Sequence, residues 1–176
     1  MQEIVVLRYG HRAVRDYRVT SHCCLVARAF GAKKIIIAGE GDRTIEGSIK
    51  EVVNKWGCNF VIEFEESWRR VLGKYKKKGF VIVHLTMYGE LLQEKIREIR
   101  KVKKLLLIIG SQKVEREVYE KADYNIAITL QPHSEIAALA VFLDWFFGGK
   151  ELGKKFQKAK IKIIPQKKGK LVETEC

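Results

Sequence analysis

No apolar run in this chain of 176 residues reaches the roughly 18 residues of a membrane span. Met1 leads directly into a strand-like segment, which is not the pattern of a signal peptide. The four cysteines include no C-x-x-C pair and no spacing typical of a disulfide framework. We therefore expect a protein of the reducing cytoplasm with no membrane partner. Proline is scarce, and two prolines beside many Lys, Arg and Glu are typical of thermophile proteins.

The charge of the chain is one-sided. Basic residues outnumber acidic ones by 34 to 21, which gives a net charge of +13 and a pI near 9.6. A field of this sign favours a polyanionic partner, and nucleic acid before a membrane surface. Apolar residues make up 47% and charged residues 31%, which is typical of a folded protein with a sizeable core. The length fits one domain, with room for a small appendage.

Short apolar runs alternate with helical patterns along the chain. This order predicts βαβ units around a mostly parallel sheet, the α/β class, with helices on both faces. The predicted strands are Glu3–Leu7, Lys34–Ala38, Phe60–Phe64, Phe80–His84, Leu105–Ile109 and Asn125–Thr129. The predicted helices are Ser21–Phe30, Ile45–Trp56, Ser67–Lys77, Leu91–Val102, Val114–Ala122 and Ser134–Phe147. The last helix is apolar almost all round, so we expect it to be buried on several sides, including by a second subunit.

The sequence changes in character after Gly148 and Gly149. Residues 150–170 contain nine lysines and one glutamate. Within them, KIKIIPQKKGKLVETE predicts a β-hairpin with its turn at Pro165–Gly169. We therefore divide the chain into a domain of residues 1–149 and a lysine-rich hairpin extension of residues 150–176. The pattern suits two roles equally, a lysine-protected ribbon in solvent or a ribbon that contacts a phosphate backbone.

Ligands of open α/β sheets bind outside the carboxyl ends of the strands. Three late strand ends have polar or glycine-containing sequences: HLTMYG at His84–Gly89, GSQ at Gly110–Gln112 and QPHS at Gln131–Ser134. Each of them alone is typical of ordinary turns and helix caps. Because all three follow consecutive strands, we expect them to form one crevice of backbone loops with few ionisable groups.

Other motifs are weaker. GEGDRT at Gly39–Thr44 is similar to a dinucleotide-binding loop, but Thr44 stands where the third glycine belongs. A strand-to-helix turn is therefore the better interpretation. The four histidines and the adjacent Cys23 and Cys24 show no usual zinc spacing, so we expect no metal.

The stretch LRYGHRAVRDYRVTSH at Leu7–His22 contains four arginines at spacings of four, three and three. They are Arg8, Arg12, Arg15 and Arg18. The stretch has too little apolar patterning for a core, so we expect the arginines to precede a helix that begins near Ser21. Planar donors that are always charged, placed beside a helix N-terminus, suit phosphate groups. A solvated arginine surface is the alternative.

Three blocks resemble the signature blocks of the archaeal tRNA 2′-O-ribose methyltransferases that modify cytidine 56 of the TΨC loop. They are LRYGHR..RD.R.TSH..L.ARAFGA, HLTMYG and QPHSEIAALAVFLD. These enzymes are divergent members of the SPOUT (α/β-knot) class. The similarity extends from Leu7 to about Asp144, and the hairpin matches the family's C-terminal extension. It implies a deep trefoil knot in the C-terminal part, a homodimer, S-adenosylmethionine as cofactor and tRNA as partner.

The resemblance also implies the site residues. The three cofactor loops correspond to Leu85, Thr86 and Gly89, to Gly110, Ser111, Gln112, Lys113 and Val114, and to Ile128, Thr129, Leu130, Gln131, Pro132, His133, Ser134 and Glu135. The residues expected to hold the tRNA backbone are Arg8, Lys154, Lys155, Lys158, Lys167 and Lys168.

The chain departs from the wider SPOUT pattern at the usual catalytic arginine. The first-helix block N-x-x-A-x-x-R is absent, Leu25 stands at the arginine position, and His133 replaces the Asn of the third loop. We therefore expect the arginine stretch to supply the catalytic group, from Arg15 or Arg18 first and from Arg12 next. An arginine is a poor base, because the pKa of a guanidinium lies far above physiological pH. Its expected role is to orient the ribose hydroxyl and to stabilise negative charge.

Three other functions stay open on the sequence alone. The first is methylation of a different RNA target, because surface shape decides the target. The second is RNA binding without catalysis, for which S-adenosylmethionine would not bind. The third is a nucleotide-dependent or NAD-dependent enzyme that uses GEGDRT and binds its cofactor at the second strand.

Overall fold

A six-stranded sheet lies at the centre of the protein in the computed structural model, which describes residues 2–110 and 113–174. The elements are, in chain order, β1 (Glu3–His11), α1 (Ala13–Ala29), β2 (Lys34–Gly39), α2 (Arg43–Trp56), β3 (Val61–Glu65), α3 (Trp68–Lys77), β4 (Val81–Leu91), α4 (Leu92–Ile99), β5 (Lys104–Ile109), α5 (Arg116–Lys121), β6 (Tyr124–Ala127) and α6 (Glu135–Phe147). The strand order is β3-β2-β1-β5-β4-β6, and the pairings are parallel. The predicted α/β class is confirmed.

Helices cover both faces of the sheet. On β1, Ile4 and Val6 belong to a core with α1, α2, α4 and α6, whereas Val5 and Leu7 belong to a core with α3 and α5. This alternation follows from the period of two in a strand. Strands buried on both faces consist of continuous apolar runs, which is why the sequence revealed them. Within residues 2–110 and 113–174, none of the helices is long and apolar enough to cross a membrane.

Helix α1 begins earlier than the sequence predicted. β1 continues to His11, Arg12 is the N-cap residue, and the helix starts at Ala13. The predicted start near Ser21, with all four arginines ahead of the helix, is therefore wrong. Asp16 is the acidic residue of the first turn and accepts hydrogen bonds from the Arg12 backbone N–H and Nε. This contact satisfies a backbone N–H at the end of the helix and places negative charge at the N-terminus. Because the contact is polar, the spacing of apolar residues in the sequence could not predict the start of the helix.

Strand β4 also extends further than predicted, because it includes the whole HLTMYG motif and ends at Leu91. Its register with β6 shifts between Leu85 and Glu90, so the motif contributes extra residues relative to its neighbour. Gly89 permits this arrangement, since a Cβ atom there would lie 2.4 Å from the carbonyl carbon and oxygen of Asn125. The other boundaries lie within a few residues of the predicted ones.

The predicted C-terminal hairpin is confirmed as a separate antiparallel sheet of β7 (Ile161–Ile164) and β8 (Leu171–Thr174). The segment ahead of it is bound to the end of α2. The Cys58 N–H donates to the Gln157 carbonyl at 3.0 Å, and the Lys160 N–H donates to the Lys55 carbonyl at 2.9 Å. The C-terminal extension is thus attached to the end of α2 before the hairpin begins.

Candidate active site

A cleft of about 420 Å³, here called the carboxyl-end cleft, lies beside residues 84–88 of β4, the end of β5 and the start of α6. It is lined by Arg12, Arg15, Asp16, Val19, His84, Leu85, Thr86, Met87, Tyr88, Ile109, Gly110, Val114, Tyr119, Pro132, His133, Glu135 and Ala138. Residues of the three late strand ends meet in it because β5 and β6 flank β4 in the sheet. The first two turns of α1 supply the rest of its wall.

The structure divides the expected cofactor residues into three groups. Those that line the carboxyl-end cleft are Leu85, Thr86, Gly110, Val114, Pro132, His133 and Glu135. Those outside its lining are Gly89, Lys113, Ile128, Thr129, Leu130, Gln131 and Ser134. Ser134 instead caps α6, where its hydroxyl accepts from the Ala137 N–H at 3.2 Å. Ser111 and Gln112 fall outside the described residues.

Two of the three candidate catalytic arginines reach the carboxyl-end cleft. Arg12 and Asp16, and likewise Arg15 and Val19, are four residues apart at the start of α1, and all four line the cleft. Arg18 is exposed and is not part of the lining. The geometry therefore favours Arg15 over Arg18.

Asp16 holds Arg12 in a bidentate ion pair. Arg12 Nε donates to Oδ2 of Asp16 at 3.0 Å, and Nη2 donates to Oδ1 at 3.2 Å. Burial of Asp16 would raise the pKa of its carboxyl, but the hydrogen bonds and charge of Arg12 outweigh burial and hold that pKa below its ordinary value. The same hydrogen bond raises the pKa of Arg12. Arg12 is thereby fixed in one orientation at the cleft.

Arg8 does not occupy the position expected of an RNA contact. It follows Ile4 and Val6 on one face of β1, and its side chain is only 1% exposed. Nη2 lies 3.1 Å from Glu135 Oε1, and Nη1 donates to the Tyr9 carbonyl at 3.2 Å. The expectation that Arg8 holds a phosphate is therefore corrected. This arginine is interior, and it joins the central strand to the first turn of α6.

A buried histidine forms the floor of the carboxyl-end cleft. His84 Nδ1 lies 2.9 Å from Oδ1 of Asn125, whose Nδ2 donates to the Tyr119 carbonyl at 2.9 Å. Because that second bond sets the orientation of the amide, Nδ1 of His84 carries the proton and Nε2 keeps a lone pair. Burial lowers the pKa of His84, and the hydrogen bond with Asn125 offsets this only in part. Among the described residues Nε2 has no hydrogen-bond partner.

The sequence did not reveal Tyr119 and Asn125 as parts of this site. The Tyr119 ring lies edge-on to His84 at 4.7 Å, and its hydroxyl is 3.2 Å from Oγ1 of Thr86. No local pattern marks either residue, because the pairing of β6 with β4 is what brings them to the cleft. Within the described ranges, no three potential metal ligands are grouped together.

The lysines expected to contact RNA lie elsewhere. Lys154, Lys155 and Lys158 line a second cleft at the amino ends of the strands, here called the amino-end cleft. Lys167 and Lys168 are exposed in the turn between β7 and β8. The carboxyl-end cleft and the cleft lined by Lys154, Lys155 and Lys158 are therefore at opposite ends of the strands.

Comparison with known proteins assigns the chain to a family. The family model described as "tRNA ribose 2'-O-methyltransferase, aTrm56" matches residues 56–173. The chain belongs to this family. The aTrm56 match includes the three late strand ends and begins after the arginines of α1. A curated relative from Thermococcus kodakarensis, tRNA (cytidine(56)-2'-O)-methyltransferase, is 54% identical over 173 residues and is matched over 96% of each chain.

Solved structures share the fold of this aTrm56 family member. The crystal structure of the A. aeolicus TrmH/SpoU tRNA modifying enzyme aligns with a TM-score of 0.64 at 20% identity, over 86% of this chain and 77% of that chain. AviRb, the SpoU methyltransferase of Streptomyces viridochromogenes solved with AdoMet, aligns with a TM-score of 0.62 at 15% identity, over 87% of this chain and 59% of that chain. The chain thus has the fold of the SpoU/TrmH SPOUT methyltransferases.

Proposed function

We propose that this protein transfers a methyl group from S-adenosylmethionine to the ribose 2′-hydroxyl of cytidine 56 in the TΨC loop of tRNA. The observation that carries the proposal is the cleft in which three late strand ends meet the arginine face of α1. The relative of that name, at 54% identity, supports the choice of nucleotide. The net charge of +13 suits a polyanionic substrate.

The residues of the carboxyl-end cleft fit S-adenosylmethionine. At about 420 Å³ the cleft has the size of a small-molecule site, with apolar walls from Leu85, Ile109 and Ala138. The buried Nε2 of His84 offers an unused lone pair to an N–H or O–H donor of the cofactor. A Cβ atom at Gly110 would lie 2.3 Å from Cγ2 of Val114, so glycine keeps that wall clear.

Arg15 is the residue that we assign to the ribose. Bound S-adenosylmethionine would supply an electrophilic methyl group to the 2′-oxygen. S-adenosylhomocysteine is the leaving group, the hydroxyl proton passes to water, and no covalent link to the protein is required. The Arg15 guanidinium carries hydrogen-bond donors and no acceptor. It therefore orients the 2′-hydroxyl through hydrogen bonds and stabilises the negative charge that develops on its oxygen. Arg12, fixed by Asp16, binds the adjoining phosphate, for which a planar fork is suited.

The proposal includes a homodimer formed through α1 and α6, which pack on each other. Four apolar side chains on these helices are exposed in the single chain, and they support an apolar interface. They are Val14, Leu25, Val141 and Trp145. Measurement of the molar mass in solution tests this part, and we expect Trp145→Asp to convert a dimer into a monomer.

Three further parts of the proposal follow from the family. The C-terminal part of the sheet is knotted, and residues 150–176 act as an extension of a methyltransferase domain of residues 1–149. The protein works in the cytoplasm. Cys23, Cys24 and Cys58 are free thiols, which agrees with a reducing compartment.

The test is methyl transfer from labelled S-adenosylmethionine to an unmodified tRNA transcript, with the modified nucleoside mapped. We expect 2′-O-methylcytidine at position 56. Arg15→Ala should lower kcat about a hundredfold while cofactor affinity stays unchanged, because only stabilisation of the reacting oxygen is lost. Arg18→Ala is the matched control, since the same change one turn further along α1 lies outside the cleft lining.

Other results would replace the proposal. Methylation at a different nucleotide would make the protein an RNA methyltransferase with another target. Binding of tRNA without binding of S-adenosylmethionine would make it a non-catalytic RNA-binding protein. Equal losses in Arg15→Ala and Arg18→Ala would contradict the assignment of Arg15.

A further inference from the structure

The amino-end cleft is larger than the candidate active site and has a different chemistry. Its volume is about 1010 Å³, and residues at the starts of the strands and in the segment after α6 line it. Among the described residues of this lining, eight side chains are basic and one, Glu3, is acidic. Lys34 is neutralised by Glu63. Six of the remaining cations are exposed lysines, namely Lys33, Lys78, Lys104, Lys154, Lys155 and Lys158.

Aromatic rings are interleaved with these cations. The ammonium group of Lys78 lies 5.7 Å from the Tyr75 ring centre, and that of Lys154 lies 5.8 Å from the Phe156 ring centre. Phe156 is only partly buried, so part of its ring stays open to the cleft. Cations that bind phosphates, next to rings on which bases stack, are the combination that single-stranded nucleic acid requires.

The floor of the amino-end cleft contains a buried arginine that is incompletely bonded. Arg28 is 7% exposed, donates to the Gly57 carbonyl at 2.8 Å and lies 4.8 Å from the Phe156 ring centre. Its Nε has no hydrogen-bond partner among the described residues. A buried N–H of a guanidinium without an acceptor is costly. The guanidinium also places a fixed positive charge in the floor of the amino-end cleft.

One wall of the amino-end cleft is held in place by strained backbone. Cys58 has a φ of +78°, in the left-handed region that residues other than glycine rarely adopt. At the preceding Gly57, a Cβ atom would lie 2.4 Å from the Gln157 oxygen. The Cys58 N–H donates to the Gln157 carbonyl, and this hydrogen bond holds the chain at Gln157 close to Gly57 and Cys58. The C-terminal segment is thus fixed across the amino ends of the strands, with Phe156 and its lysines in the cleft.

We propose that the amino-end cleft is a second RNA site, which binds an unpaired nucleotide of the same tRNA at a distance from the methylated ribose. This inference rests on the proposed function. The phosphate lies among the lysines, and the base stacks on Phe156. Lys104 lines this cleft and Ile109 lines the carboxyl-end cleft. One strand, β5, separates the two clefts by about 17 Å at the usual rise per residue. A single tRNA can therefore occupy both.

A charge test uses two double variants that each remove two positive charges. Lys33→Ala with Lys78→Ala acts on the amino-end cleft, whereas Lys50→Ala with Lys74→Ala acts on α2 and α3, outside its lining. The readout is the Kd for an unmodified tRNA transcript at several salt concentrations. We expect the first variant to raise Kd about tenfold and to reduce the salt slope by one to two, which is about one per lost phosphate contact. The control should change Kd less than about twofold, because its lysines make no such contact.

A stacking test uses Phe156. Phe156→Leu should raise the Kd for tRNA and for a fluorescent hexauridylate about fivefold or more, because an aliphatic side chain offers no stacking surface. Phe156→Tyr keeps the ring and should bind like the unmodified protein. Circular dichroism and S-adenosylmethionine affinity show whether each variant is folded. If Phe156→Leu does not fold, the lysine variants decide, since their side chains are exposed.

The outcomes separate this inference from the proposed function. Equal Kd values for the two lysine double variants, with methylation of cytidine 56 intact in the unmodified protein, would overturn the second site alone. Binding of hexauridylate that depends on Phe156 and Lys78 supports the second site, even if the unmodified protein transfers no methyl group. In that case the proposed function fails and the RNA site stands.

Discussion

The guanidinium of Arg8, on the central strand β1, lies 3.1 Å from the carboxylate of Glu135, in the first turn of α6. Arg8 is 1% exposed and Glu135 is 28% exposed. A buried cation requires a partner, and a carboxylate also suits the N-terminus of a helix. The pair therefore anchors the start of α6 to the sheet, next to Pro132 and His133 of the carboxyl-end cleft.

We expect Glu135→Gln to lower the free energy of unfolding by about 3 kcal/mol, because Arg8 would stay buried without a counter-charge. The double variant with Arg8→Met removes that charge as well and should recover at least half of the loss. Denaturant unfolding of the two single variants and the double variant measures the coupling. Additive effects of the two substitutions would show that the pair contributes nothing as a unit.

The close approach of Gly89 to β6 leads to a second prediction. Gly89→Ala should lower the free energy of unfolding by about 2–3 kcal/mol, since the new methyl group would overlap the Asn125 carbonyl and β4 would have to shift. S-adenosylmethionine affinity should fall with it, because Thr86 lies in the same segment. Gly73→Ala is the control, since nothing lies within 4 Å of its added Cβ in α3. That change should stabilise the protein by about 1 kcal/mol. Similar effects at both glycines would contradict the prediction.

Burial of His84 makes stability depend on pH. Its pKa is lowered in the folded protein by burial, whereas in the unfolded chain it stays near 6.5. As the pH falls, the unfolded state therefore takes up a proton before the folded state does. The contribution of the neutral ring to the free energy of unfolding is present above about pH 6.5, and it is lost as the pH falls towards the pKa of His84 in the folded protein. Thermal unfolding from pH 8 to pH 5 should show this loss, and His84→Phe should show a shallower one.

A second buried histidine, His11, reduces the expected difference in pH dependence between the unmodified protein and His84→Phe. Burial lowers the pKa of His11 as well, so part of the slope should persist in His84→Phe. The Phe variant also leaves Asn125 without its donor and should be less stable at pH 7 by about 1 kcal/mol. The test therefore compares how steeply stability changes with pH in the two proteins, and not their stability at pH 7. An unchanged slope would mean that His84 is not buried in the neutral form.

Cys23 and Cys24 lie inside the core, and burial raises the pKa of each thiol to about 12. Because the thiolate is the reactive form, we expect both to resist iodoacetamide at pH 8 in the folded protein and to react after unfolding. Peptide mapping by mass spectrometry distinguishes them from Cys58, which is more exposed and should react earlier. Labelling of Cys23 before unfolding would show that α1 opens locally.

The expected elements were accurate wherever a segment is buried on both faces or bounded by a turn residue. Ile35–Ala38 and Leu105–Ile109 are continuous apolar runs, and every side chain of both runs is buried. The start of α1 was not predicted, because it depends on one polar contact between Arg12 and Asp16 and not on apolar spacing. The length of β4 was not predicted either, since a register shift against β6 produces it.

The sequence by itself determined the α/β class, the terminal hairpin and the three segments that contribute to the carboxyl-end cleft, because period, propensity and turn residues act over short distances along the chain. Only the tertiary structure decided that Arg8 is interior and that Arg15 stands at the cleft while Arg18 does not. It also decided that Tyr119 and Asn125 join His84. These relationships depend on the strand order β5-β4-β6 and on the packing of α1 and α6, which bring together residues far apart in the chain. Local patterns do not specify such contacts, since they arise from the free energy of packing the whole core.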